Sequence, residues 1–291
     1  MESDANFVGN PILLTFDVED WFQVENFKNY IEFSAWNSFG LRVENNTLAL
    51  LDFLDSFSFR PKATFFVLGW VARKLPGLVK EIHKRGHEVA SHGFNHHLCG
   101  NLTARELIQD LEKSKKTLED LTGAEVYGFR APSFAIDDKI LLVIEKSGYT
   151  YDSSFNSFSA HGRYGAIDLS CAEKLNACYK INPGFFEIPV SNMHMGSMVF
   201  PLGGGGYFRL VPFPVFRAGM KSVLKKNKAF VFYAHPWEFD PEQPRVDQAP
   251  KWFKFRHYIN LHRTQNKLTA LLESFRDHKF ITCMDYIREN H

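Results

Sequence analysis

Acidic, histidine and arginine side chains stand at the ends of several apolar runs that are typical of β-strands. These are Asp17, Glu19 and Asp20 after the first run, His92 and His96 after the third, Arg130 after the next and His235 after a later one. In a barrel of parallel strands the carboxyl ends of the strands meet on one face, so these side chains would converge there. Carboxylates and imidazoles together can hold a divalent metal and move protons, which is the chemistry of metal-assisted hydrolysis.

The histidines His92 and His96 are four residues apart, which would place both imidazoles on one face of a helical turn. Two imidazoles and a carboxylate, with positions left open for water and substrate, are common ligands of a catalytic divalent metal. Histidines at this spacing also occur as capping or surface residues, but the carboxylates after the first strand favour a metal site here. The adjacent His97 would point elsewhere and is predicted to take no part.

The elements that must position these residues alternate along the chain. Runs typical of buried strands cover residues 12–17, 62–68, 88–91, 126–130, 149–152, 186–190, 229–234 and 280–284. Segments with helical periodicity cover residues 43–57, 71–85, 103–123, 137–146, 213–226 and 259–275, the third opening on a capping box at Thr103 and Glu106. This alternation predicts a parallel sheet with right-handed crossovers, folded as one barrel-like α/β domain of about seven strands over residues 1–291.

Charge and hydropathy exclude some classes of partner. The 291 residues include 34 basic and 33 acidic side chains, a balance that gives no support to a nucleic-acid or anionic-membrane partner. No apolar run approaches the length of a membrane span, and the first residues lack the basic region and long apolar stretch of a secretory signal. The sequence therefore predicts a cytoplasmic protein, and it does not specify the oligomeric state.

Five short motifs occur in a fixed order: TFDVED, GHEVASHGFNHH, FRAP, YDSS and YAHPWEFDPEQPR. Together they resemble the motif series of the polysaccharide deacetylases, the NodB-homology or carbohydrate esterase 4-like family. The resemblance is greatest to the branch associated with bacterial exopolysaccharide, O-antigen and other surface-glycan biosynthesis, and it extends from Asp17 to about Arg245. It implies a distorted (β/α) barrel in which one acid and two histidines hold a zinc-type ion.

The resemblance also implies a role for each matched residue. Asp17 corresponds to the general base, and His92 and His96 correspond to the histidine ligands of the metal. Arg130 would donate a charge-assisted hydrogen bond to Asp17, which keeps that carboxylate oriented and ionised. His235 would be the general acid.

One departure from the family pattern leaves the carboxylate ligand open. The family has two consecutive acids, the second being the ligand, whereas Val18 follows Asp17 in this chain. Alternation along a strand puts Glu19 on the same face as Asp17, but a bulge at the strand end would aim Asp20 inward instead. Both are therefore candidate ligands, and the ion itself could be zinc, cobalt, nickel, iron or manganese.

The FRAP motif and the YDSS motif supply candidates for shaping the substrate site. Ser133 replaces a residue that is commonly tyrosine in the family, but its backbone N–H, next to Pro132, could still stabilise an oxyanion. Asp152 could tune His235 or shape the pocket, although an aspartate at a strand end is as often only a cap.

Three later residues are candidate sugar contacts. The stretch GGGGYFR resembles a pocket edge of this branch, which makes Tyr207 and Arg209 candidates. Trp237 could stack on a sugar face or could pack beneath its own loop.

These features predict a metal-dependent hydrolase that removes an N-acetyl group from an amino sugar of a bacterial glycan or glycan precursor. Metal-activated water would attack the amide, Asp17 would act as base and His235 would protonate the leaving amine. One alternative keeps the metal site but changes the bond, as in a deformylase or another C–N amide hydrolase. The other is a glycan-binding protein that has lost catalysis.

Overall fold

Strands and helices alternate in the computed structural model, which describes residues 9–158, 164–196 and 198–290. The strands are β1 (Gly9–Val18), β2 (Ala63–Val67), β3 (Glu88–Ser91), β4 (Gly128–Phe129), β5 (Tyr151–Asp152), β6 (Glu173–Leu175), β7 (Cys178–Asn182), β8 (Phe185–Glu187), β9 (Asn192–Met195), β10 (Met198–Pro201), β11 (Phe230–Ala234) and β12 (His278–Phe280). The helices are α1 (Val43–Asp55), α2 (Gly69–Lys74), α3 (Pro76–Lys84), α4 (Ala104–Thr122), α5 (Asp138–Lys146), α6 (Gly205–Leu210), α7 (Phe213–Asn227), α8 (Lys251–Tyr258), α9 (Thr264–Ser274) and α10 (Cys283–Asn290). Short 3-10 helices cover Glu25–Phe27, Phe33–Ser38, Cys99–Asn101, Pro132–Phe134, Pro236–Phe239 and Leu261–Arg263.

The main sheet has the strand order β11-β1-β2-β3-β4-β5-β8-β7-β6, and β12 also pairs with β1. Neighbours from β11 to β8 are parallel, whereas β7 and β6 add an antiparallel hairpin at the edge. Phe16 of β1 lies in register with Ala234 of β11, so Asp17 and His235 leave adjacent strands at the same end of the sheet. The register thus brings together residues more than 200 positions apart in the sequence.

The sheet curls until the chain after β8 meets β11. The backbone N–H of Ser191 donates to the carbonyl of Val231 at 3.2 Å, and the N–H of Val231 donates to the Ser191 hydroxyl at 2.8 Å. Gly203 continues this contact, donating to the Ser191 carbonyl and accepting from the Tyr233 N–H, both at 2.7 Å. A Cβ at Gly203 would lie 2.6 Å from the Val231 carbonyl oxygen, so the approach requires glycine. The predicted distorted (β/α) barrel is confirmed.

Side chains of β1 alternate between two apolar clusters. Leu14 and Phe16 belong to the larger cluster, which packs the sheet against the helices, whereas Leu13 belongs to the smaller one. Because side chains repeat every second residue along a strand, Thr15 and Asp17 share the face of Leu13. This face therefore changes from apolar to polar towards the carboxyl end of β1.

Helix α4 begins and ends where the sequence predicts. Thr103 accepts a hydrogen bond from the N–H of Glu106, and the Glu106 carboxylate accepts from the N–H of Thr103, so the capping box is present. Gly123 ends the helix in the left-handed conformation with φ of 67°. Between these ends, α4 carries Asp110, which contacts the histidine loop described below.

The last predicted strand is wrong in part. The residues 280–284 were expected to be extended, but β12 ends at Phe280 and α10 begins at Cys283. Thr282 caps that helix by accepting from the N–H of Asp285 at 3.1 Å and donating to its carboxylate at 2.7 Å. This reciprocal cap outweighs the extended preference of the apolar run. Residues 153–185 and 236–258, which lie outside the predicted strands and helices, contain β6, β7 and α8.

Pairing of β1 with β11 and β12 links the start of the described chain to its last quarter. The single domain over residues 1–291 stays a prediction, since residues 1–8, 159–163, 197 and 291 lie outside the described ranges. Within those ranges, no helix combines the length and the apolar character needed to cross a membrane.

Candidate metal centre

Arg130 fixes the carboxylate of Asp17 at the end of β1. The guanidinium is fully buried, and its Nη1 lies 2.8 Å from Oδ1 of Asp17 and 2.8 Å from the hydroxyl of Thr15. The guanidinium also donates two hydrogen bonds to Ser153. Its Nε donates to the carbonyl at 3.0 Å, and its Nη2 donates to the hydroxyl at 2.9 Å. Oδ2 of Asp17 lies 4.0 Å from Nε2 of both His92 and His235. The predicted pairing of Arg130 with Asp17 is therefore present, and it leaves the second carboxylate oxygen facing the imidazoles.

A sharp turn after β1 separates the two candidate carboxylate ligands. The N–H of Glu19 donates to the Asp17 carbonyl at 3.0 Å, and the Glu19 side chain lies among the histidines. Asp20 points away and accepts from three backbone N–H groups, of Trp21 at 2.9 Å, Arg42 at 2.7 Å and Val43 at 2.9 Å. Asp20 thus holds the start of α1, and the structure places Glu19, rather than Asp20, beside the histidines.

Glu19, His92 and His96 bring one ligand atom each to within 4.8 Å of one another. Nε2 of His96 lies 2.8 Å from Oε2 of Glu19, yet this buried oxygen has no aligned hydrogen-bond donor among the described residues. Burial alone would raise the pKa of Glu19, but His96 and His235 lower it to about 2, so the carboxylate is charged. A charged, buried carboxylate beside two imidazoles fits a bound cation.

The protonation of His92 suits the same role. Its Nδ1 lies 2.8 Å from the carbonyl of Arg130, which can only accept, so the proton is on Nδ1 and Nε2 keeps its lone pair. Burial lowers the pKa of His92 to about 4, which keeps the ring neutral at neutral pH. A neutral imidazole oriented through its other nitrogen is the form that binds metal.

The helical turn predicted for the two histidines is wrong. Residues 92–98 form an irregular loop in which Gly93 has φ of 72° and His96 has φ of 58°. Asp110 of α4 holds this loop by accepting from the N–H of Phe94 at 2.7 Å. A non-glycine residue in the left-handed region costs free energy, and such residues concentrate at functional sites. The predicted bystander His97 is exposed and stands beside Phe33, at 5.9 Å between ring centroids.

His235 faces the metal ligands from the other side of the pocket. Its Nε2 lies 3.4 Å from Oε1 of Glu19, while its Nδ1 lies 2.9 Å from Oε1 of Glu238. Burial alone would lower the pKa of His235. The carboxylates of Glu19 and Glu238, with Asp17 farther away, outweigh burial and raise it to about 9. The imidazole is therefore protonated at neutral pH, with one N–H directed into the pocket.

Glu238 is a site residue that the sequence reasoning missed. It also accepts from the N–H of His235 at 3.1 Å and from Nε of Arg209 at 2.7 Å. A Cβ at Gly205 would lie 2.2 Å from its Oε1, so one glycine of the GGGG run makes room for the carboxylate. The sequence signal that could have found Glu238 is its position three residues after His235, which is the spacing of a capping box.

Arg209 does not offer its guanidinium to a sugar. Although it lines the pocket, its side chain is buried and donates to Glu238 and to the carbonyls of Arg256, His257 and Ile259. Its predicted role as a sugar contact is replaced by support of Glu238, because the buried guanidinium requires acceptors inside the protein.

Tyr207 is half-buried and packs edge-on against Phe158, with the ring centroids 5.7 Å apart. It is not among the described residues that line the pocket with the metal ligands.

Trp237 is buried within the protein. Its indole stacks against His235 and His257, with ring centroids 4.9 and 4.1 Å apart, and donates to Oε1 of Glu19 at 3.3 Å. This geometry favours packing beneath its loop over stacking on a sugar.

The 3-10 helix after β4 brings Ser133 to the pocket wall, and the preceding Pro132 is buried. Ser133 has φ of 55°, a conformation that turns the backbone sharply after the strand. Asp152 lies elsewhere: it accepts from the N–H and hydroxyl of Ser154, whose hydroxyl in turn accepts from the N–H of Ala131 at 2.7 Å. Asp152 therefore supports the backbone before Ser133, and Glu238 takes the place beside His235 that was suggested for Asp152.

The pocket has a volume of about 790 Å³, including space open to solvent. Its wall includes Asp17, Glu19, His92, His96, Ser133, Phe134, Tyr164, Tyr233, His235, Trp237, Glu238 and His257. A cleft of this size with convergent ionisable groups is typical of an enzyme active site.

Comparison with protein families gives the class of the chain. The family described as "Polysaccharide deacetylase" matches residues 6–151, half of the sequence, and a second family described as "Domain of unknown function (DUF3473)" matches residues 153–288. The chain belongs to the polysaccharide deacetylase family.

Individual relatives agree with this class. The chain is 34% identical over 115 residues to the peptidoglycan deacetylase-like protein FGM2 of Gibberella zeae, covering 40% of this chain and 34% of that protein. It is 33% identical over 103 residues to a peptidoglycan-N-acetylglucosamine deacetylase of Bacillus cereus, covering 35% and 47%. Each match thus spans less than half of either sequence.

A solved structure from Mycobacterium smegmatis, assigned to the polysaccharide deacetylases, superposes on 97% of this chain and 91% of its own. The TM-score is 0.60 at 17% sequence identity, which demonstrates a shared fold.

Proposed function

We propose that the chain is a metal-dependent carbohydrate N-deacetylase, which hydrolyses the N-acetyl group of an amino sugar. The observation that carries this proposal is the convergence of Glu19, His92 and His96 within 4.8 Å, facing Asp17 and His235 across one pocket. Ligands, base and acid for amide hydrolysis are thereby available on a single face of the barrel.

Glu19, His92 and His96 would hold the metal. When bound, a divalent ion supplies Lewis-acid polarisation of the amide carbonyl and lowers the pKa of a coordinated water molecule. The donor set of one carboxylate and two imidazoles suits zinc and also cobalt, nickel, iron or manganese.

The remaining residues of the chain move protons. Asp17, oriented by Arg130, can accept the proton of the attacking water through Oδ2, which is free of the Arg130 bond. His235 presents Nε2 to the pocket while its Nδ1 is held by Glu238, so a proton on Nε2 would be placed for transfer to the leaving amine nitrogen. The backbone N–H of Ser133 is the proposed donor to the developing oxyanion.

Relatives guide the choice of a first substrate. Their names refer to N-acetylglucosamine in peptidoglycan and to chito-oligosaccharides, so β-1,4-linked N-acetylglucosamine oligomers are suitable probes. We also propose that the substrate is a bacterial exopolysaccharide, an O-antigen or a precursor of one of them, on the motif resemblance described above. Incubation with labelled precursors and with mature polymer would separate them, since acetate release from mature polymer alone contradicts the precursor proposal.

The test is acetate release by enzyme that has been stripped of metal and then reloaded with zinc or cobalt. We expect no activity after stripping, recovery on reloading, and no recovery in the Asp17→Asn variant. Formate release from N-formyl analogues without acetate release would point instead to a deformylase. Binding of the oligomers without any hydrolysis by the reloaded enzyme would favour a glycan-binding protein.

A further inference from the structure

Two carboxyl groups inside the barrel take no part in the hydrolysis proposed above. Asp152 of β5 and Glu187 of β8 lie opposite each other on neighbouring parallel strands, and both side chains are fully buried. Arg130 is a positive charge near both, but the hydrogen bonds of its guanidinium go to other side chains and to a backbone carbonyl. Two adjacent buried carboxyl groups without an ion-pair partner do not both ionise, so the pair holds one proton.

The hydrogen bonds around the pair assign this proton to Glu187. Both oxygens of Asp152 accept from Ser154, Oδ2 from its N–H at 2.9 Å and Oδ1 from its hydroxyl at 2.6 Å, so Asp152 is the carboxylate. Oε1 of Glu187 accepts from the N–H of Phe155 at 2.9 Å, whereas its buried Oε2 receives no hydrogen bond among the described residues. Burial, and next the charge of Asp152, raise the pKa of Glu187 well above its usual range. Glu187 is therefore the carboxylic acid, and it donates to Asp152.

The pair is linked to the metal centre through the two serines that follow Asp152. The hydroxyl of Ser154 donates to Asp152 and accepts from the N–H of Ala131 at 2.7 Å. The carbonyl and hydroxyl of Ser153 both accept from the guanidinium of Arg130, at 3.0 and 2.9 Å. A shift of these serines would therefore move the side chain of Arg130 and the backbone of the residue after it.

We propose that Asp152 and Glu187 are positioning residues for the metal centre, a carboxylate and a carboxylic acid that keep Arg130 directed at Asp17. For its catalytic consequence this inference rests on the proposed deacetylase function. Replacing each carboxyl group with its amide tests the assigned roles. Glu187→Gln keeps a donor to Asp152, whereas Asp152→Asn removes one of the two oxygens that accept from Ser154. A role in packing alone would make the two amide variants alike, because both keep the size of the side chain.

The kinetic test measures kcat and KM for acetate release from β-1,4-linked N-acetylglucosamine oligomers by the zinc-loaded variants. We expect Asp152→Asn to lower kcat by about 10²-fold at unchanged KM, because a shift of ~1 Å in a reacting group costs about this factor. Glu187→Gln should keep the wild-type kcat, as should the control Glu173→Gln, an exposed acid on β6. Loss of activity in Glu187→Gln, or equal values of kcat in the two amide variants, would overturn the inference.

A measurement without substrate separates this inference from the proposed activity. Hydrogen exchange of the arginine Nε–H groups, followed by NMR on ¹⁵N-labelled protein, reports directly on the bond from Arg130 to Ser153. We expect Asp152→Asn to speed exchange at Arg130 about tenfold or more and Glu187→Gln to leave it slow. The Nε–H of Arg209, which is buried and donates to Glu238, is the internal control in every sample. This pattern supports the inference even if the wild type releases no acetate, and unchanged exchange at Arg130 in Asp152→Asn overturns it whether or not acetate is released.

Discussion

The two halves of the chain build the pocket in different ways. Residues 6–151, which match the polysaccharide deacetylase family, supply Asp17, Glu19, His92 and His96 from the ends of β1 and β3, which both pair with β2. Residues 153–288 supply His235. Its imidazole contacts the carboxylate of Glu238, which in turn is paired with the guanidinium of Arg209. The first half thus supplies the candidate ligands of a cation, and the second half supplies the histidine proposed as the proton donor.

This difference means that the two halves have separate measurable properties. Metal content reports on the first half, whereas the rate at full metal occupancy and the pH dependence report on the second. Substitutions that changed both properties together would show that the division is wrong.

The largest effect is expected from removing both histidine ligands. In the His92→Ala/His96→Ala double variant, metal content should fall from about one ion per chain to background, because a lone carboxylate holds a divalent ion weakly. Elemental analysis after dialysis measures this, and acetate release should vanish with it. His97→Ala is the control, since that exposed neighbour should leave occupancy unchanged. Retained metal in the double variant would contradict the assignment of the site.

His235→Ala should lower kcat by about 10²–10⁴-fold while metal occupancy stays at the wild-type value. The reason is that general acid catalysis contributes a factor of this size, whereas the ligand set of Glu19, His92 and His96 is intact. Steady-state rates at saturating zinc, compared with elemental analysis of the same samples, make the measurement. Loss of the metal along with the rate would mean that His235 is itself a ligand.

Asp110→Ala should weaken metal binding about 10–100-fold without removing a ligand. Asp110 accepts from the N–H of Phe94, and its loss frees the strained loop that aims His96 at Glu19. Competition with a chromogenic chelator measures the dissociation constant. Glu112→Ala, an exposed acid on the same helix, should have no effect. An unchanged constant in Asp110→Ala would show that the loop keeps its shape without this support.

Glu238→Gln is expected to cause the smallest change, a shift in pH dependence. In the metal-free protein the pKa of His235 is about 9, above its ordinary value of 6.5. Its protonation therefore stabilises the fold fully below pH 6.5, and this stability is lost as the pH rises through 9. Removing the Glu238 charge lowers the pKa of His235 in the folded protein, so the pH at which this stability is lost should fall.

Urea unfolding of the metal-free protein between pH 6 and 10 measures that shift, with the exposed Glu242→Gln as control. The midpoint of the pH dependence is the quantity to compare, because the variant also leaves Arg209 buried without its partner. An unchanged midpoint would show that Glu238 does not raise the pKa of His235.

The first half of the site was largely predictable from the sequence. Apolar runs identify the strands, and the register of parallel strands brings Asp17, His92 and Arg130 to one end without further information. The choice between Glu19 and Asp20 was not predictable, since it depends on the Asp20 carboxylate meeting the backbone N–H groups of Arg42 and Val43, 22 and 23 residues away.

The second half was less predictable, for a physical reason. Arg209 and Glu238 are 29 residues apart and are joined only by side chains, and such a contact leaves no periodic pattern in the sequence. Arg209 was predicted as a sugar contact because the sequence places it beside a glycine run. The sequence does not show which way its side chain points. The strand before His235 and the helix at 213–226 did follow from periodicity and were confirmed.

The closure of the barrel has a consequence for its local opening. Between β8 and β11 the backbone is joined through Ser191 and Gly203, whereas β1 is paired along its length with strands on both sides. Amide hydrogens exchange through local opening, and a region with few hydrogen bonds opens at lower free energy. The N–H groups of Ser191 and Gly203 should therefore exchange with deuterium before that of Leu14, as hydrogen-exchange mass spectrometry can measure. In kinetic terms, the barrel would open first at this seam, next to the strand that leads into His235, while Glu19, His92 and His96 stay in place.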